Sequence, residues 1–512
     1  MWAIVRQQLR LVAIVGASLS ASCFAQELKQ PAFVPKITIS KETTWATGPL
    51  KATGAIDYHV VVNQHFSRGV TAENNSVVLL YRAMGPVPGG TRLPEAFFRE
   101  LGIEPLSEEG NYIHRQRFQG DDALYSRPWT TDEFPAHAAW LRNMEEPLKS
   151  VVEAMQRSEY FSPMVSRGAD DMLCITLIPG VQESHSLARA LLSRAMWRLG
   201  DEQRFEAWSD LMATHRLGRL MSRDSTVIGW LIGCTIEEQA IDAELRFLAE
   251  TQSPAKHLKF YRRDLQKLSP RSSPIDQIDI CERACALDAC WQIARGKVRL
   301  SVCMEVLGED SPLENQPLAK QLADATLTQS ADWDEVMKIV NRWYDRVVAD
   351  ARLPTYRQRE DAYRTLDREL KQLVQKRKDP VAWLAILGDK PALTQFTADL
   401  LIPSMVLPIA NKHHVAARTA QKFQNLETAM ALAAWLSDHG SYPKSLVELV
   451  PTYLADEPKD LFTDRTLKYE QTADGYRCYS FGINEKDDDG RLHDGQPAGD
   501  DLIVQMPMPL PR

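Results

Sequence analysis

The sequence predicts a mainly α protein, an irregular multi-helix body followed by a small α+β headpiece made of one long helix and about three short antiparallel strands. Three observations lead there. From Glu133 onward, apolar residues recur at three- and four-residue spacing over long stretches. Two such stretches, Ser184 to Leu199 and Arg204 to Met221, meet at the short joint Gly200-Asp201-Glu202, which predicts an antiparallel helical hairpin. After Gly440 the pattern changes to turns and short runs, with Leu467 to Glu470, Tyr476 to Ser480 and Leu502 to Met506 reading as strands.

Residues 1–25 read as an export signal. Arg6 and Arg10 form a basic start, Leu11 to Leu19 an apolar run, and Cys23-Phe24-Ala25 a small-x-small cleavage site before Gln26. The apolar run is shorter than the roughly 20 residues of a membrane-spanning helix, so no transmembrane span is expected in the mature chain. Alternatively, Ser20-Ala21-Ser22-Cys23 is a lipobox and Cys23 carries a lipid anchor. Either way the expected location is exported, periplasmic or secreted.

Residues 26–132 form an extended leader with Pro31 and Pro35, then helices starting near Ile56, Ala72 and Pro94, with Pro86-Val87-Pro88-Gly89-Gly90 as a break. Residues 133–392 form the helical body. Trp140, Leu141, Met144, Leu148, Val151, Val152 and Met155 make one stripe, the Gly200 hairpin follows, and Ser225 to Glu250 is a third helix. Further helices are expected at Lys256 to Leu268, Ile275 to about Val306, Trp333 to Ala349 and Thr355 to Lys376. Gly308 to Ala331 reads as a long loop. No 34-residue recurrence accompanies the hairpin, so a regular repeat array is not expected. Residues 393–512 hold the long helix and headpiece; Leu393 to Ser437 forms one or two helices kinked at Pro403 and Pro408. Three short strands need a cover, which the helix ending at Leu436 supplies.

At 512 residues the chain exceeds a single core. A formal net charge of −8 argues against a nucleic-acid partner. Removal of the signal would leave seven of the eight cysteines, scattered and odd in number, which is no disulfide framework. Cys281 and Cys285 share a helix face while Cys290 lies opposite, so the three are expected as small packing residues and not as metal ligands.

Local catalytic motifs are missing: no G-x-S-x-G, H-E-x-x-H, Walker loop, G-x-G-x-x-G or C-x-x-C occurs. Adjacent His413 and His414 should point about 100° apart on a helix, which suits neither a shared metal nor an acid–base pair. His215 continues the stripe of Trp208, Leu211 and Met212 and reads as a packing histidine. Asp57, His59, His65 and Glu73 either line an acid–base site or form an exposed helix face. The loop from Asn484 to Asp501 has a stronger case. It places Asn484, Glu485, Asp487, Asp488, Asp489, Asp494, Asp500 and Asp501 among Gly490, Gly495 and Gly499. Hard cations such as Ca²⁺ take six to eight oxygens from bending loops of this kind. The spacing is not that of an EF-hand, and the alternative is a solvated acidic loop.

Over roughly residues 411–512 the chain resembles the C-terminal headpiece of type II secretion major pseudopilins. The shared order is a helix ending in Asp438-His439-Gly440-Ser441-Tyr442-Pro443, then Leu449-Val450-Pro451, Tyr453-Leu454, Pro458-Lys459-Asp460, Leu467-Lys468-Tyr469, Gly475-Tyr476, Tyr479-Ser480-Phe481-Gly482 and Asp500-Asp501-Leu502-Ile503. In that family the loop binds calcium. The resemblance implies a structural calcium ion here, with Asn484 matching an Asp of the family loop, Asp500 and Asp501 its closing acidic pair, and Asp487 a nearby addition. Pseudopilins begin with a prepilin-peptidase site and an apolar helix, whereas this module ends a large chain, so a filament subunit is not expected. The whole chain looks like large exported proteins of planctomycete bacteria, through Asp57-Tyr58, Glu73-Asn74, Pro128-Trp129, Ala139-Trp140-Leu141 and the Gly200 hairpin. That family has no assigned activity. The expected function is an exported, non-enzymatic scaffold or binding protein of the cell envelope with an envelope protein as partner. The alternative is an exported hydrolase with a dispersed site between the N-terminal segment and the helical body.

Overall fold

The computed structural model describes residues 36–113, 122–166, 168, 171–176, 179–251, 253–298, 300, 327–377, 388–410, 412–492 and 498–509. The export signal 1–25 with Cys23, the leader up to residue 35, and residues 308–326 of the expected long loop lie outside the described residues. The protein is mainly helical, with a small three-stranded antiparallel sheet near its C-terminus.

Two caps set the start of the first helices among the described residues. Asp57 accepts from the backbone N–H of Val60 at the head of α1 (Tyr58–Phe66), and Asn75 accepts from that of Val77 at the head of α2 (Ser76–Met84). Asn75 also exchanges hydrogen bonds with the backbone of Phe161, at 3.0 and 2.9 Å. The stripe from Trp140 to Met155 belongs to two helices, Pro135–Asn143 and α3 (Glu145–Ala154), with a break at Met144. Pro147 is the reason: inside one continuous helix it would lack a backbone N–H and clash with the preceding turn, whereas the break places it in a first turn.

The helical hairpin forms as expected from α4 (Pro179–Gly200) and α5 (Arg204–Met221), and α6 (Val227–Thr251) packs along α5. This last crossing is close enough to require glycine on both sides. A Cβ at Gly218 would lie 2.8 Å from the Gly233 carbonyl oxygen, and one at Gly233 would lie 2.7 Å from that of Gly218. Backbone cannot yield as a side chain would. After α7 (Ala255–Gln266), a π-helical turn (Gln277–Glu282) leads into α8 (Arg283–Ala294). Arg283 pairs with Asp279 inside this segment and ties the segment to α9 (Trp333–Ala351) through Asp345, each at 2.7 Å. Then come α10 (Tyr356–Arg377) and α11 (Lys390–Ala410), which pack on each other. Pro403 and Pro408 both lie within α11, and α12 (Lys412–His439) begins just after it.

The headpiece follows α12. A short 3-10 turn, Leu446–Leu449, leads to β1 (Lys468–Gln471), β2 (Tyr476–Ser480) and β3 (Leu502–Met506), paired in that order. Register pairs Tyr469 with Cys478 and Cys478 with Val504. The α12 helix covers the sheet, and Asn425 donates to the Leu502 carbonyl at 2.7 Å.

Among the described residues, two large hydrophobic clusters hold the molecule together, with a small third one of Tyr356, Ala417 and Phe462. One runs from Val77 and Leu80 through Trp208 and Phe247 to Leu426 and Met430 of α12, and continues into Leu449, Tyr476, Cys478 and Val504. The headpiece therefore shares a core with the first half of the body. The other gathers Tyr58, Trp230, Leu287, Trp333, Val340 and Leu400. Among the described residues no helix is long and apolar enough to cross a membrane.

Candidate metal centre

The acidic loop leaves β2 at Gly482 and returns to β3 through Gly499. Gly482 has φ +68°, and a Cβ there would meet the Asp500 carbonyl oxygen at 2.2 Å, so the turn needs glycine for both conformation and space. Next along the loop, Asp489 has a left-handed φ of +59°. This aims two flanking amides at one atom: Asp488 N and Gly490 N donate to Asp501 Oδ2 at 3.1 and 2.7 Å.

Asp488, Asp500 and Asp501 each place one carboxylate oxygen within 4.8 Å of the others. Asp501 is 1% exposed, and its Oδ1 is buried with no hydrogen-bond partner. Burial first, and then Asp488 and Asp487, push its pKa up to about 6 even though the two amides act to lower it. Asp488 behaves in the opposite way: the Asn484 side chain and the Asp500 amide hold its pKa below the ordinary value. Its Oδ2 accepts from Asn484 Nδ2 at 2.8 Å and from Asp500 N at 3.1 Å.

Of the four ligands expected from sequence, Asp500 and Asp501 therefore meet. Asn484 stands beside them through its amide, donating from its backbone to Asp500 Oδ2 at 2.9 Å, while its Oδ1 accepts from Lys486 N. Asp487 turns to the sheet, accepting from the Tyr479 hydroxyl at 3.1 Å and pairing with Lys468 at 3.6 Å. The third converging carboxylate is Asp488, its neighbour. The donor set is all oxygen, close-spaced and anionic, and it contains a buried oxygen without a partner, which fits a hard divalent cation. Bound there, calcium would be held by Asp488, Asp500 and Asp501 and would supply the positive charge that these carboxylates lack.

The remaining candidates separate. Asp57 caps α1, His59 Nε2 contacts Thr176 Oγ1 at 2.8 Å, His65 lies 3.7 Å from Asp276, and Glu73 is exposed. His215 is fully buried but not merely packed: Nδ1 lies 3.0 Å from Glu244 and Nε2 lies 3.1 Å from Glu237. Burial opposes its charge, yet the two carboxylates outweigh burial and raise its pKa. His413 and His414 do converge. Both Nε2 atoms reach Glu360 Oε2 at 2.6 Å, because the reach of two imidazoles overcomes the 100° between their Cβ directions. Of the cysteine cluster, Cys281 and Cys290 are buried and Cys285 partly so, and Cys281 contacts Met164 Sδ at 3.9 Å.

A groove of about 770 Å³ lies between the ends of α6 and α12 and the turn joining β1 to β2. Tyr442, Tyr476, Leu436, Met506, Arg246 and Glu250 are among its lining residues.

Compared with protein-family models, with curated proteins and with solved structures, the chain matches none.

Proposed function

We propose that this chain is an exported, non-enzymatic binding or scaffold protein of the cell envelope, whose pseudopilin-like headpiece is clamped by a structural calcium ion. The observation that carries the reading is the Asp501 carboxylate, buried with one oxygen unpartnered beside Asp488 and Asp500. A cation there ties the return of the loop to its outgoing limb, and with it the entry to β3. The groove between body and headpiece supports binding, since it combines two tyrosines and methionines with the charged ends of Arg246 and Glu250. Its described lining contains no histidine and no cysteine. The hydrolase reading has less support, because Asp57, His59, His65 and Glu73 point to different partners.

Thermal unfolding of the full chain with calcium and with chelator tests the clamp: calcium should raise the midpoint, because it binds only the folded loop. No shift, together with no metal by elemental analysis, overturns it. For the partner, native mass spectrometry of envelope extracts should show the chain in a complex that Tyr442→Asp weakens. A monomer throughout contradicts the scaffold role.

A further inference from the structure

A second cluster of ligating side chains lies where α10 meets the start of α12, and its donors are of a different kind. Glu360 and His413 are 6% and 7% exposed, and His414 is half-buried. One Glu360 oxygen lies 2.6 Å from His413 Nε2 and 2.6 Å from His414 Nε2, so two imidazole nitrogens and one carboxylate oxygen face a single point.

The surroundings hold these groups in place. His413 stacks on Tyr363, with ring centroids 4.3 Å apart and planes 17° from parallel. The Glu360 Oε1 atom accepts from Arg364 Nε at 2.6 Å, which fixes the carboxylate from behind. Such outer-shell bonds orient metal ligands. The Tyr356 ring lies 5.9 and 6.3 Å from the two imidazoles, and its hydroxyl is buried with no hydrogen-bond partner.

We propose that Glu360, His413 and His414 form a site for a borderline divalent transition metal of the zinc class, with the Tyr356 hydroxyl or a water completing the coordination. Zinc favours imidazole nitrogen together with carboxylate oxygen in tetrahedral arrangement. Metal–ligand bonds of about 2.0–2.2 Å place neighbouring donors roughly 3.3 Å apart. The donor separations of 2.6 Å therefore need to open by less than an ångström. The calcium loop has no nitrogen donors in its cluster, so the two sites differ in the ion they select.

The placement gives the metal a structural consequence. It would staple α10 to the first turn of α12, the helix on which the headpiece is built. Tyr356 packs edge-on against Phe462 of the headpiece at 5.0 Å, and Arg364 lies 3.8 Å from Glu485 of the acidic loop. Metal at this seam would thus fix the base of the headpiece relative to the second core.

The test uses the full chain, stripped of metal and dialysed against micromolar Zn²⁺, with bound zinc counted by elemental analysis and Co²⁺ used as a spectroscopic probe. The expected result is one zinc per chain and a Co²⁺ visible spectrum of a nitrogen- and oxygen-ligated site. His414→Ala and Glu360→Gln should each weaken binding by about tenfold or more, and Asp501→Asn should leave zinc binding unchanged. Circular dichroism of each variant separates lost ligation from lost folding, and Tyr363→Phe, which keeps the ring, should retain the metal. Less than 0.1 zinc per chain in the wild type, or zinc binding unchanged in His414→Ala, overturns the proposal. Zinc lost equally in Asp501→Asn would place it in the acidic loop and overturn it too.

Discussion

Replacing Asp501 by Asn should stabilise the metal-free headpiece and abolish its response to calcium, two effects of opposite sign from one substitution. Asp501 Oδ2 accepts from Asp488 N and Gly490 N, and an amide oxygen can accept the same two bonds. The amide nitrogen would replace Oδ1, the buried oxygen that has no partner, and can donate to the neighbouring carboxylates. Asp501 is raised to about 6 from an ordinary 3.8. Its favourable contribution is fully present below pH 3.8 and is lost as pH rises through 6, when the buried carboxylate ionises. Two units correspond to about 3 kcal/mol, and screening by solvent close to the exposed loop reduces this to roughly 1–2 kcal/mol. At pH 7.5 in chelator, loop opening in D501N should therefore be about 5- to 30-fold less populated than in the wild type, and near pH 4 the two should coincide. Calcium at a hundred times its dissociation constant should add about 2.7 kcal/mol to the wild type alone. The order of the two proteins inverts on adding calcium. Hydrogen exchange of peptides spanning 484–492 and 498–505 reads this directly. A mutant less protected than wild type in chelator at pH 7.5, or one protected by calcium as strongly as wild type, refutes the reasoning.

Other perturbations probe the body. His215→Ala removes the hydrogen-bonded partner of buried Glu244, while Glu237 keeps Arg219 and Arg271, and should destabilise by about 3–5 kcal/mol in denaturant unfolding. Because the His215 pKa is raised, its contribution is present below the unfolded value and declines as pH rises through the folded one, so the wild-type to mutant difference should shrink at alkaline pH. Gly233→Ala drives a Cβ to 2.5 Å from the Ser222 amide nitrogen and should cost about 1–3 kcal/mol by the same unfolding measurement, whereas Gly388→Ala, with no atom within 4 Å but φ +94°, reports backbone strain alone. Lowering the pH through 6 should weaken calcium binding in a titration series, since protonated Asp501 cannot serve as an anionic ligand.

The sequence carried the local patterns well and the long-range meetings poorly. Arg204 to Met221 and the strands Tyr476–Ser480 and Leu502–Met506 follow from periodicity, because apolar residues there face one core at a fixed period. The signal for the break at Met144 is Pro147, which the apolar stripe from Trp140 to Met155 runs past without interruption. In the acidic loop, Asp487-Asp488-Asp489 offers three adjacent carboxylates, and only the left-handed turn at Asp489 decides that Asp488 faces inward. The convergence of His413 and His414 depends on Glu360, 53 residues upstream on another helix, which spacing cannot reveal. The partners of His215 have a signal: Glu237 and Glu244 lie seven residues apart, two turns along one face of α6.

Calcium titration of the chelator-stripped full chain by calorimetry at pH 7.5 addresses the clamp without reference to stability. One ion should bind per chain, with the signal lost in D501N and retained in His414→Ala. No binding at millimolar calcium, or equal binding by D501N, would contradict a cation held by Asp488, Asp500 and Asp501.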